Sequence, residues 1–177
     1  MSQNCISPKF RVSFPNVFKA VGFGTQEPKY SIQMLFPKDV DLSVMKKAAD
    51  AACAKKWGDD KKKWPKNLAL PFRDGDEQRG DKAEYTGMTF VTASSKQRPQ
   101  VIDAKKQPII EEDQTFYAGC YARAQLFAYA WNYMGKNGVS FGLQNIQKLS
   151  DGPRFSGKKD ASDVFDEYEE DTDLGFD

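Results

Sequence analysis

The sequence predicts a mainly β protein: a small closed barrel of about five antiparallel strands, with one α-helix, long loops and an acidic C-terminal tail. Three observations carry this. Apolar residues alternate with a period of two over several segments separated by Gly- and Pro-rich turns. One segment only switches to helical spacing. The last eighteen residues, 160–177, hold nine carboxylates and no Lys or Arg.

The opening strand is KFRVSF, Lys9 to Phe14, with Phe10, Val12 and Phe14 expected on one apolar face. Pro15 interrupts it, and Val17 to Phe23 continues it. The turn GTQEPK leads into KYSIQMLFP, where Tyr30, Ile32, Met34 and Phe36 share a face and Pro37 ends the strand. Leu42, Met45, Ala49, Ala52 and Cys53 then recur at three- and four-residue spacing. Asp41 is placed to cap a helix and Gly58 to end it, so Asp41 to Trp57 is read as helical, with Lys46, Lys47, Lys55 and Lys56 outward. Residues 58–85 lack periodicity, and a loop of that length is usually functional or disordered. Within it, KKKWPK reads equally as a solvated loop or a binding element. Thr86 to Ser95 is a strand, with a short continuation at Arg98 to Asp103.

Gly119 to Tyr133 is rich in alanine, yet its period is two. Odd positions are mostly large (Tyr121, Arg123, Phe127, Tyr129, Trp131, Tyr133) and even positions mostly small, which marks a strand with two unlike faces. MGKNG turns into a return strand, Gly138 to Gln147. Residues 1–150 thus form one domain, 151–159 a linker and 160–177 an interaction tail.

Composition excludes several chemistries. There is no histidine, which removes Ser-His-Asp and Cys-His mechanisms and every imidazole zinc site. Cys5, Cys53 and Cys120 are far apart without a CxxC, which fits a reducing cytoplasm. DGDEQRGDKAE, Asp74 to Glu84, fails as a calcium loop because Arg79 stands where the turn needs glycine. It reads as a polar loop, with a metal-dependent nuclease using Asp74, Asp76 and Glu77 as the alternative. GFGTQE at Gly22 to Glu27 lacks the third glycine of a dinucleotide loop. No apolar run approaches the roughly 20 residues of a membrane helix, and MSQNCISPKF has no secretory pattern. No cofactor, metal or membrane partner is expected.

The whole chain carries 26 basic and 25 acidic side chains, but without the tail the balance is 26 to 16, or +10. A basic body points to a polyanionic partner, and a block of like charge is usually a solvated interaction tail. Solubility is the simpler reading of the tail, but leaves the basic body and the interleaved Phe165, Tyr168 and Phe176 unexplained. Tyr121, Arg123, Tyr129, Trp131 and Tyr133 share one face. A single strand of nucleic acid offers unstacked bases to aromatics and phosphates to cations. The competing reading makes this face barrel core. It is preferred for Phe127, whereas Arg123 argues against it for Tyr121 and Trp131, since burying an unpaired guanidinium is costly.

KFRVSFPNVF, SIQMLFPK with its Lys-rich helix, PFRDGDE, ASSKQRPQVID, YAGCYARAQLFAYAW and the acidic tail together resemble the phage single-stranded DNA-binding proteins. The resemblance implies an OB-fold barrel, sequence-independent binding of single-stranded DNA, no enzymatic activity, and a place in phage DNA replication or recombination in the cytoplasm of an infected bacterium. It carries Arg73, Lys96, Arg98, Tyr121 and Arg123 over as DNA contacts. Arg11, Tyr85, Tyr129 and Trp131 complete the expected set. The tail residues Phe165, Tyr168, Asp173, Phe176 and Asp177 are expected to contact replication proteins such as a helicase, primase or polymerase. Self-association into a homo-oligomer is left open. A scaffold or DNA mimic acting through the tail alone is a further alternative. Two departures stand out. Phe176 is followed by Asp177 rather than ending the chain, and the helix falls between the second and third strands instead of the third and fourth. A split of the first strand at Pro15 would restore the usual count.

Overall fold

Alternating apolar residues put one face of each long strand inside a barrel. The structure, a computed structural model, describes residues 2–22, 24–155 and 165–168. Its strands are β1 (Asn4–Ile6), β2 (Phe10–Val21), β3 (Lys29–Pro37), β4 (Arg73–Asp74), β5 (Met88–Ser95), β6 (Gln100–Ile102), β7 (Tyr121–Tyr133) and β8 (Lys136–Ser150). β2 pairs with β3, β3 with β5, β5 with β8, β8 with β7, and β7 back with β2. The circuit closes in five strands, and its single parallel seam joins β5 to β8 through Ala93↔Phe141 and Ser94↔Gly142. This is the OB-fold barrel. β1 extends the β2 edge of β7, β6 lies parallel on β8, and β4 pairs with β5.

Inside lie Phe10, Val12 and Val17 of β2, Ile32, Met34 and Phe36 of β3, Val91 and Ala93 of β5, and Val139, Phe141, Leu143 and Ile146 of β8. β7 contributes its even positions, Ala122, Ala124, Leu126 and Ala128, all buried. The odd positions point outward. Phe127 goes with them: the expected core residue is half-buried on the outer face, because it is in phase with Tyr121 and Tyr129 and out of phase with Leu126.

β2 corrects two further expectations. It runs unbroken past Pro15, so no extra barrel strand arises there. The proline is accommodated by a register shift between Ser13 and Asn16. Within that bulge Phe14 adopts φ +45°. Alternation would send its ring inward beside Phe10 and Val12, whereas the left-handed backbone turns it out, and it is 48% exposed.

Helix α1 (Ser43–Trp57) follows β3 as its spacing predicts, but it starts two residues later than expected, with Leu42 rather than Asp41 at the N-cap position. The Asp41 carboxylate accepts the Ser43 N–H at 2.9 Å, and that bond holds the Asp41 pKa below its ordinary value. Gly58 ends the helix at φ +93°, where a Cβ would be strained. Met45, Ala48, Ala49, Ala52 and Cys53 face the core, against β1, β7 and β8. Cys5, Cys53 and Cys120 are all buried and unpaired, and burial raises each thiol pKa.

The long loop has more structure than its aperiodic sequence predicts, including a second helix, α2 (Gly75–Gln78). It folds over the outer face of β3 and β5, where Tyr85, Leu35 and Phe90 form a second small core. Tyr85 is 0% exposed, which removes it from the expected DNA contacts. Its ring meets Phe90 edge-on at 5.3 Å. Its hydroxyl donates to Gln33 Oε1 and accepts from Ser13 Oγ at 2.9 Å. Tyr85→Phe strands these two polar groups, so thermal or urea unfolding should report a loss of about 1–3 kcal/mol. Affinity for single strands should not change; a drop there at unchanged stability would restore Tyr85 as a contact.

Candidate nucleic-acid interface

The pleat of β7 and β8 decides which side chains can reach a ligand. Across their register Arg123 faces Gln147, Gln125 faces Asn145, Phe127 faces Gly142, Tyr129 faces Ser140 and Trp131 faces Gly138. Glycine opposite an aromatic lets the ring lie over the neighbouring strand. A Cβ on Gly138 would come within 2.3 Å of the Trp131 ring, so this pair is mutually exclusive with any side chain there. Trp131 is further held by its Nε1–H, which donates to Ser140 Oγ at 2.9 Å.

Beyond the end of β5 the chain turns at residues 96–99 and faces this surface. The result is a groove of about 580 Å³ whose walls include Arg98, Phe127, Tyr129, Gln97, Gln125 and Asn145. Arg98 lies over the Tyr30 ring at 5.8 Å, a cation–π contact that holds its guanidinium beside the groove. Tyr129 is 38% exposed. Gln125 and Asn145, bonded through the Asn145 amide N–H at 2.8 Å, also border a second cavity of about 310 Å³ that Arg123 lines. Arg123 is exposed, and its Nε–H donates to Gln147 Oε1 at 2.8 Å. The two cavities adjoin at Gln125 and Asn145, with cations at Arg98 and Arg123, aromatic faces at Phe127 and Tyr129, and amides between. Bases can stack and phosphates be neutralised along the same line.

The remaining sequence-predicted contacts fall elsewhere. Lys96 is exposed and pairs with Glu27 at 3.1 Å. Arg73 is exposed on the far side, beside Lys38, Lys46 and Phe72. Arg11 and Tyr121 do meet, at 5.7 Å, with Lys9 also over the Tyr121 ring at 5.3 Å. They are engaged, however, by residues 151–155, which follow β8 and lie across them as a strap. Arg11 donates to Gly119 O at 3.1 Å and Pro153 O at 2.7 Å, and its guanidinium stacks on Phe155 at 4.2 Å. Gly152 lies so close to Tyr121 that a Cβ there would sit 2.9 Å from the ring. The Tyr117 hydroxyl donates to Gly152 O and Arg154 lies over the Tyr117 ring at 4.1 Å. The first part of the expected linker is thus docked on the barrel. Phe165 and Tyr168 are exposed. Asp173, Phe176 and Asp177 lie outside the described residues.

Two of the three carboxylates offered for a nuclease, Asp74 and Asp76, are tied into the loop fold, and Glu77 is exposed. Lys38 Nζ lies 3.0 Å from Asp74 and 2.6 Å from Asp76. Asp74 also caps α2 through the Asp76 N–H, and Asp76 accepts the Gly87 N–H at 3.1 Å. The Lys38 contact is the main reason both acids lie below the usual carboxylate pKa. Among the described residues no cluster of three or more His, Cys, Asp or Glu could hold a metal ion.

Phe127, Tyr30 and the groove amides are absent from the sequence-predicted set. Phe127 had a usable signal, its phase with the other outward aromatics. Tyr30 and the amides had none, because nothing in their local sequence tells which loop will face them.

The chain is similar to known proteins. Protein p50 of Acyrthosiphon pisum secondary endosymbiont phage 1 is 34% identical over 161 residues, covering 86% of each chain. The single-stranded DNA-binding protein of bacteriophage Enc34, solved in complex with ssDNA, superposes with a TM-score of 0.73 at 25% identity, over 87% of this chain and 90% of that one. Gp2.5, a single-stranded DNA-binding protein encoded by bacteriophage T7, shares the fold at a TM-score of 0.54 and 18% identity, over 93% of this chain and 98% of that one. The family model described as Enterobacter phage Enc34, ssDNA-binding protein, matches residues 3–175, and the chain belongs to that family of phage single-stranded DNA-binding proteins.

Proposed function

We propose that this protein binds single-stranded DNA without sequence preference, along the adjoining cavities from Tyr129 and Arg98 to Arg123, and serves phage DNA replication and recombination in the infected cell. The observation that carries the reading is the groove itself. Arg98, Phe127 and Tyr129 line one open cavity on the outer face of an otherwise closed barrel. Stacking accepts any base because every base has a π-face, and Arg98 and Arg123 track phosphates. Non-catalytic binding accounts for these groups without any further chemistry.

The acidic tail is proposed to do two things. It carries the sign of DNA, so it competes for the basic body, and its aromatic residues recruit replication proteins. The strap supports this reading, since Arg11 holds Pro153 and Phe155, ahead of the tail, on the barrel. From that root the tail stays at high effective concentration near the +10 body.

A titration of oligo(dT) against intrinsic tryptophan fluorescence at several salt concentrations tests the binding mode. The logarithm of affinity should fall linearly with that of salt, by roughly 0.7 per phosphate contacted. Arg98→Ala should lower affinity and flatten the slope by about one contact. Tyr129→Ala should cost about 1–3 kcal/mol of binding with little change in slope. A flat salt response, or selectivity for one short sequence, would defeat the reading.

Truncation after Lys159 tests the tail. The shortened protein should keep its melting temperature, because a segment so acidic and poor in apolar residues adds little to the core. At low salt it should bind oligo(dT) more tightly than the full chain. Equal affinities would leave solubility as the better account of the tail.

A further inference from the structure

The bulge in β2 presents an aromatic ring that neither core uses. Phe14 stands at φ +45°, a region that costs an L-residue with a Cβ strain and that glycine enters freely. Its ring is 48% exposed, on neither of the two apolar clusters. Lys82, carried by the long loop, holds its ammonium 5.3 Å from the ring centre. Pro15 follows, and the register shift spans Ser13 to Asn16. A bulge re-aims side chains, and residues held in disfavoured backbone regions concentrate where function uses them. An exposed ring beside a cation is the unit that a single strand recognises.

The surface between this ring and the groove has the character of a path. In register order, Gly142 of β8 faces Ser94 of β5, Ser94 faces Ser31 of β3, and Ser31 faces Asn16 of β2. These outward residues are small or polar. β5 and β2 are two strand spacings apart, about 10 Å. Resting on the binding mode proposed above, we infer that Phe14 and Lys82 form a second subsite for single-stranded DNA, reached by a strand that leaves the Arg98 groove and crosses β5 and β3. A base stacks on the Phe14 ring, and the Lys82 ammonium moves from the ring to the adjoining phosphate. Short strands fill the groove alone, and longer ones engage both places.

The test uses full-length protein and oligo(dT) of about 4 and about 16 nucleotides, the limits of site size for one OB-fold. Phe14→Gly removes the ring at a position whose backbone favours glycine, so melting should occur at or above the wild-type temperature. This variant should bind the short strand like wild type and the long strand about tenfold more weakly. Phe14→Tyr should restore long-strand affinity. Wild-type affinity of Phe14→Gly for the long strand would overturn the inference, as would an equal loss on both lengths. Tyr129→Ala, measured alongside, reports on the groove separately. If it binds both strands like wild type, the groove assignment fails, while the result for Phe14 is still read from the long strand.

Discussion

The pairing of β7 with β8 is the constraint on which the rest of this protein depends. It runs from Tyr121↔Ser150 to Tyr133↔Lys136. One side of β7 is nearly all alanine, which keeps the barrel narrow and leaves its interior to Phe141, Leu143 and Ile146 of β8 and to the rings of β2 and β3. The other side carries the bulk that the interior cannot hold. A strand has only two faces, so an alanine row inside compels an aromatic row outside. Gly138 of β8 completes the division, since it gives Trp131 a place to lie.

This explains which parts of the molecule could be read from sequence. The period of two in Gly119 to Tyr133 survives folding because both faces are specified, one by size and one by solvent. Helix α1 was equally legible in its apolar spacing and its end at Gly58, while its start falls two residues past Asp41. What could not be read depends on contacts between distant segments. The alternation of β2 fails at Phe14 because a bulge shifts the phase, and Pro15 only hints at it. Tyr85 ends an aperiodic loop, and nothing local tells that its hydroxyl will meet Gln33 and Ser13 across the sheet. The groove is in part the same case, because Arg98 belongs to a turn whose position is set by β5, β6 and Tyr30 together.

The basic residues divide by what answers them. Arg11 is committed to two backbone carbonyls and a phenyl ring, and releasing it would remove one of the strap's holds. Lys38 is committed to Asp74 and Asp76. Lys96 is different, since its pair with Glu27 is two-thirds exposed on both sides. A solvent-exposed ion pair is worth about 0–1 kcal/mol, so a phosphate can replace Glu27 at small cost. Sequence counts these cations alike, whereas the fold sorts them into fixed and exchangeable ones.

The burial of the cysteines has a consequence for how the protein meets its surroundings. Cys5, Cys53 and Cys120 are withdrawn from solvent with raised pKa values, so each stays a protonated, poorly nucleophilic thiol at neutral pH. The chain has no imidazole. Its cationic side chains are therefore lysine and arginine alone. The burial of all three thiols also suits the molecule to labelling. A cysteine introduced at an exposed position would be the one thiol ready to react, reporting from a single chosen place.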